Sequence, residues 1–435
     1  MQKFIDFFSP AAPIFLHKHI NLAWLTIVVF WSLTGSLVTA NAQSEDWRNI
    51  RSGTSIPDKT YSDQPYLLKT NDNAWLCVMT TGEGHEGAAG QHIISQRSFD
   101  QGKTWDKPQY MRYSDGRLMK NPRAANFAWK CENGKFLYWF HNHGGRFIRA
   151  HPNPGAIGYN DRNPVWIAGG VEVDGAGGRI IKWSQPEILL YDDDPMIRMS
   201  YPDLMEEDGN YFITETQKDI ARVHQIDNAF LERLWGQLES PKPAIDGLTL
   251  DWTGLGKSLP QKLPAPVAPT FCVRDTNSAD YKGKSTNAGF TIGLGFLLNE
   301  IEEGQVLADT RDSSGKGWWI SAADKNNLDF QMNDGQTHTI WSSDPGSIQL
   351  NTQHQVSILI DGGPNIIAFV IDGHLNDGGE DRQFGWGRFS PFFQSATGSP
   401  TLLVGESLKG KVSYIRYFNR ALMVTEALAN QNFQE

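Results

Sequence analysis

Ser98-Phe99-Asp100-Gln101-Gly102-Lys103-Thr104-Trp105 is the stretch from which the fold is read. Ser98 and Asp100 carry short oxygen-bearing side chains that accept hydrogen bonds from turn amides a few residues on. Gly102 takes backbone angles that a Cβ opposes, and Trp105 offers a flat apolar ring to wedge between strands. The pattern S-x-D-x-G-x-T-W is a device for joining strands of a sheet, so Asp100 is read as a turn residue and not as an acid.

On either side of this turn the chain reads as short strands divided by turns. Residues 65–70, 74–80 and 92–98 form one set, 126–131, 135–143 and 165–173 a second, and 201–205, 211–215 and 220–225 a third. Asn71-Asp72-Asn73, Glu132-Asn133-Gly134 and Glu207-Asp208-Gly209 supply the positive φ that hairpin turns require. Trp105-Asp106-Lys107-Pro108 and Trp183-Ser184-Gln185-Pro186 separate successive sets. A repeated sheet-sized unit predicts propeller blades. Residues 228–237 have helical periodicity and close this region.

At 435 residues the chain exceeds what one core usually serves, so two domains are expected. Prolines 241, 243, 260, 264, 266 and 269 mark a stiff junction. The expected division is 1–42 signal peptide, 43–245 propeller, 246–270 Pro-rich linker and 271–435 a second all-β domain. In the last, runs at 290–298, 318–320, 355–360, 366–371 and 411–418, with an Asp361-Gly362-Gly363 hairpin, predict a two-sheet sandwich.

The start of the chain addresses the compartment. Lys3 and Lys18 precede an apolar run, 22–38, that ends in Ala40-Asn41-Ala42, the form of a cleavable secretory signal. The rival reading is an uncleaved anchor, since the run approaches the length of a membrane span. After cleavage no span remains, and a secreted, periplasmic or cell-surface location is expected. Net charge is −10 for the whole chain, which argues against a nucleic-acid partner and makes any anion site a local matter. Cys77, Cys131 and Cys272 are too few for a disulfide framework.

With these residues on the page, 45–240 resembles the bacterial sialidase-like (BNR-repeat) propeller proteins, whose hallmark turn, the Asp box, is the octapeptide quoted above. "SDQPYLLKTNDNAWLCVMTTG", "RNPVWIAGGVEVDG" and "WSQPEILLYDDDPMIRMSYPDLMEEDGNYFITETQK" carry the likeness. Residues 271–435 resemble laminin-G-like, concanavalin-A-like modules through "IIAFVIDGHLNDGG", "GWGRFS" and "LKGKVSYIRYFNRALMVTEA". The resemblance implies an all-β chain: a sialidase-like β-propeller, irregular or incomplete since only three strand sets are clear, plus a concanavalin-A-like sandwich.

It also implies a site. Sialidases hold the substrate carboxylate with three arginines, attack with a Tyr activated by Glu, and use an Asp as acid/base. Tyr201, in Ser200-Tyr201-Pro202-Asp203, matches the strand that presents the nucleophile, with Glu215 as its carboxylate partner; a core aromatic is the competing reading. The loop 81–90 stands at the acid/base position and offers Glu83, His85 and Glu86 but no Asp, so Glu86 is the candidate. The family's Arg-Ile-Pro strand start is replaced by Asp63-Gln64-Pro65. An acidic group there repels a sialate carboxylate, and instead resembles the first-blade Asp of five-bladed glycosidases, a base or nucleophile. Asp63 is taken as a catalytic candidate on that ground.

Arg146 and Arg162 are the foremost substrate-binding arginines, with Arg123 and Arg198 behind them. His141 and His143, two apart on a strand, share a face and are read first as substrate hydrogen-bonders and last as zinc ligands, for want of a third ligand. No cofactor is expected, although the turn acids Asp361, Asp372, Asp377 and Asp381 are of the kind that hold Ca²⁺ in some modules of this fold. Trp318, Trp319, Trp341 and Trp386 read as core before sugar platforms. The function expected is a secreted, exo-acting glycoside hydrolase acting on terminal sugars of glycans, the alternative being a non-catalytic glycan-binding protein.

Overall fold

A computed structural model of the chain describes residues 50–432, apart from 85–87, 89, 122–125, 143–161, 176–177, 195–196, 218, 240–241, 255–257, 275–282, 383–384 and 407. Met1–Gly53 and Thr54–Glu435 separate as two units, and all the sheets belong to the second. The expected signal segment lies outside the described residues.

The fold is all-β. β1 (Tyr61–Lys69), β2 (Trp75–Gly82), β3 (His92–Ser98) and β4 (Gln109–Tyr110) form an antiparallel meander. β5 (Phe127–Lys130), β6 (Phe136–Phe140), β7 (Val165–Gly175) and β8 (Gly178–Trp183) form a second, with β9 (Glu187–Leu190) also pairing with β7. β10 (Leu204–Glu207), β11 (Asn210–Thr216) and β12 (Ala221–Ile226) form a third. The hairpin turns take positive φ at Asn73, Gly134, Asp208 and Gly209, as their sequences require.

The 98–105 turn is held from within. Ser98 Oγ accepts from the Gly102 amide at 2.8 Å, and Asp100 accepts from the Thr104 amide at 2.8 Å and its hydroxyl at 2.7 Å. Those donors, the Thr104 amide foremost, hold the Asp100 carboxyl down at about 2. Gly102 takes φ 83°, which favours glycine, and a Cβ there would also stand 3.3 Å from the Trp75 ring and 3.5 Å from Trp105.

β6, Phe-Leu-Tyr-Trp-Phe, is buried on both faces, and period two decides where each ring goes. Phe136, Tyr138 and Phe140 join the core shared with the first sheet, while Leu137 and Trp139 join the core shared with the third sheet and the helix Asn228–Gly236. Gly169 on β7 lets that helix approach: a Cβ there would lie 2.7 Å from Trp235, whose indole N–H donates to the Phe136 carbonyl at 2.8 Å. Gly169→Ala is expected to cost about 1–3 kcal/mol by overpacking, measured by urea unfolding. A stability equal to wild type would show that the helix shifts freely.

Twelve further strands pair into two six-stranded antiparallel sheets around one apolar interior, a sandwich, and Cys272–Arg274 pairs with Gly283–Ser285 as a separate hairpin. The stretch 246–270, expected as a linker, belongs to it. Leu248–Thr253 pairs with Gly410–Phe418 at the edge of one sheet, and Lys262–Pro264 pairs with Thr401–Val404 at the edge of the other. Edge strands tolerate proline because one row of amides needs no partner, and so a Pro-rich stretch can still be sheet. Trp318, Trp319, Trp341 and Trp386 are all buried.

The sandwich docks on the first two sheets. Trp386 stacks on Trp166 with ring centroids 4.0 Å apart. Lys120 donates to the carbonyls of Asp377, Gly379 and Arg382, Asn142 accepts from the Gly385 amide, and Glu187 caps the helix Val424–Asn432. The main core runs without a break from the first two sheets into the sandwich.

Candidate functional site

Each sheet presents polar residues at the end where its first strand begins. In the first sheet Asp63 pairs with Thr80, and Tyr66 with Val78, so one extra residue is inserted in β1. Gln64 takes that place at φ 50°. In the third sheet Ser200 bridges Thr216 and Leu204 pairs with Ile213, again one residue too many. Here Tyr201 takes φ 50°. Asp63-Gln64-Pro65-Tyr66 and Ser200-Tyr201-Pro202-Asp203 are thus the same bulge built twice, with Tyr66 and Asp203 in equivalent places.

Burial first, then the charges of Asp63 and Asp203, push the Tyr66 hydroxyl up to about 12. The Tyr66 phenol is half-buried, and its ring packs 4.6 Å from Phe127. Tyr201 is half exposed. Sequence reading passed over Tyr66 and Asp203; the signal available was their matching position, three residues after Asp63 and Ser200.

Behind this rim is a buried polar layer. Asn121 and Asn126 both donate to the Thr80 hydroxyl, at 3.1 and 2.8 Å, tying the first sheet to the second. Arg162 donates to Ser200 at 2.9 Å, tying the second to the third. His141 lies in the same layer, its backbone amide donating to Asn121. Burial, reinforced by Arg162, pushes its imidazole down to about 3, so it is neutral.

Several expectations require correction. His141, expected to hydrogen-bond a substrate, is fully buried in this layer. Glu215 is not joined to Tyr201: Arg222 stands directly opposite it in the register and meets its carboxylate at 3.1 Å, with His224 at 3.7 Å. Arg162 is buried against Ser200 and serves the layer. Glu86, Arg146 and His143 lie outside the described residues, as do Arg123 and His85.

Among the described residues no group of His, Cys, Asp or Glu could hold a metal ion. Of the turn acids, Asp361 accepts from Gly363, Asp372 meets His354 at 2.6 Å, and Asp377 accepts from Gly379. Cys77, Cys131 and Cys272 are buried, and none of them is in a disulfide. No helix among the described residues is long and apolar enough to cross a membrane.

No protein-family model matches the chain, and no curated protein matches it. Among solved structures it is similar to Trypanosoma rangeli sialidase in complex with sialic acid, at 12% identity and TM-score 0.28, covering 86% of this chain and 63% of that one. It is also similar to the Ruminococcus gnavus IT-sialidase CBM40 bound to α2,3-sialyllactose, at 11% identity and TM-score 0.28, covering 42% of this chain and 98% of that one. The chain thus spans about 63% of the length of the trypanosomal sialidase.

Proposed function

We propose that this chain is a carbohydrate-handling protein that hydrolyses terminal sugars of glycans at the mouth formed by the first strands of its three sheets. The observation that carries the reading is the bulge built twice, Asp63-Gln64-Pro65-Tyr66 and Ser200-Tyr201-Pro202-Asp203, which sets a carboxylate beside the start of two of the sheets. Glycoside hydrolysis needs two acidic groups at one bond, one to protonate the leaving oxygen and one to support the attacking group. Tyr201, held by its bulge and half exposed, contacts the sugar. Asn121, Asn126, Thr80 and Arg162 keep the rim in place.

The test is a screen of purified protein against neutral and sialyl aryl-glycosides. Tyr201→Phe keeps the ring and loses one hydrogen bond, so KM is expected to rise about two- to tenfold with kcat little changed. A collapse of kcat in that variant would instead make Tyr201 the nucleophile.

A second reading, glycan binding without turnover, is favoured by the engagement of the Glu215 carboxylate with Arg222 and His224. No release from any glycoside, together with glycan binding weakened by Tyr201→Ala, would decide for it.

A further inference from the structure

The first and second sheets part along their outer strands and leave a cleft of about 710 Å³, whose lining includes none of the residues of the two bulges. It narrows at one end, where Tyr113 bridges Trp183 and the Ser114 amide donates to the Trp183 carbonyl at 2.7 Å. At the other end Asp72 accepts from both the Arg97 guanidinium and the Arg179 amide. Between these closures runs β8, the last strand of its sheet.

The Arg179 amide and the Trp183 carbonyl both point away from β7, toward Asp72 and Ser114. In an antiparallel ladder residues two apart send their backbone groups the same way. Ile181, between them, therefore turns its N–H and C=O into the cleft. Leu76, Val78, Met111 and Ile181 give the lining an apolar floor. Lys107, Arg112 and Lys182 stand exposed in it with no acidic partner among the described residues, against one lining acid, Asp106. In a chain of net charge −10 this is a local cationic rim.

We propose that the cleft docks an acidic peptide of a partner protein, in extended form, as an added strand on β8. A strand uses all three features at once: its backbone pairs with the open edge, one face of its side chains enters the apolar floor, and acidic residues meet Lys107, Arg112 and Lys182. A glycan would use them poorly. It has no amides for a strand edge, and the aromatic faces are closed: Trp183 and Tyr113 are buried, and Lys59 lies 4.3 Å over the Tyr110 ring.

The probe is an acetylated, amidated peptide of alternating Val and Glu, eight residues long, titrated into the full chain by calorimetry. Binding is expected to weaken as salt is raised, and to fall about tenfold or more in the double variant Arg112→Glu, Lys182→Glu. The same peptide N-methylated on alternate amides tests the strand edge without altering the protein, and is expected to lose binding to a similar degree. Equal binding of the N-methylated peptide, equal binding of a Val-Lys peptide, or binding of a sulfated oligosaccharide in place of the peptide would each overturn the proposal. Asp63→Asn is expected to leave peptide binding unchanged, which separates this surface from the sugar site.

Discussion

Asp63→Asn is expected to lower turnover of the best aryl-glycoside by about 10²–10⁴-fold, the usual worth of a positioned acid or base. The substitution keeps size and shape at the bulge, so Gln64 and Tyr66 stay in place and the melting temperature changes little. What disappears is a group able to exchange a proton with the reacting oxygen. Asp203→Asn should act on the same reaction, and the double variant should be little worse than the poorer single one, since two groups serving one transition state are not additive. The Tyr66 hydroxyl gives a second readout. With one neighbouring charge removed, its titration, followed by ultraviolet absorbance, should move down from about 12 in each variant. Unchanged turnover in both variants would remove the mouth from consideration as a hydrolytic site; an unmoved Tyr66 would show that the carboxylates do not face it.

How much of this could be read in the sequence differs by feature. The hairpin turns, the 98–105 turn and the strand within 135–143, found at Phe136–Phe140, were legible because each depends on neighbours within a few residues: positive φ, side-chain-to-amide bonds, alternation. The bulges were half legible. Asp63 and Tyr201 stood out by motif, but that Gln64 and Tyr201 share one backbone conformation needs the strand register. The surroundings of Glu215 and His141 were not legible for the same reason. Whether a polar residue faces the mouth, an opposing Arg222 or a buried layer depends on partners far along the chain or across a sheet, and composition does not carry that. The stretch 246–270 misled because proline both stiffens linkers and tolerates sheet edges. The docking of the sandwich rests on pairs such as Asn142–Gly385 and Glu187–Thr425, separated by 243 and 238 residues.

The second large effect concerns that docking. Glu187, on β9, is buried and accepts from the Val424 amide at 3.0 Å, the Thr425 amide at 2.7 Å and the Thr425 hydroxyl at 2.8 Å. It thus caps the helix Val424–Asn432 from the other half of the molecule. Glu187→Ala leaves those donors buried without an acceptor and is expected to cost about 3 kcal/mol or more. The pH dependence has a definite sign. Burial, against the three donors and with help from Glu426, pushes the Glu187 carboxyl up from 4.5 to about 7. A folded pKa above the unfolded one contributes stability that is fully present below pH 4.5 and is lost as pH rises through about 7. Between about pH 5 and pH 7.5 the wild type should therefore lose about 2–3 kcal/mol more than Glu187→Gln, whose side chain does not titrate. Asp361, raised to about 6 by its own burial, moves the same way in both proteins and drops out of the difference. Parallel stability curves for wild type and Glu187→Gln, measured by urea unfolding across that range, would mean that the helix amides keep Glu187 ionised throughout and that electrostatic capping outweighs burial at this junction.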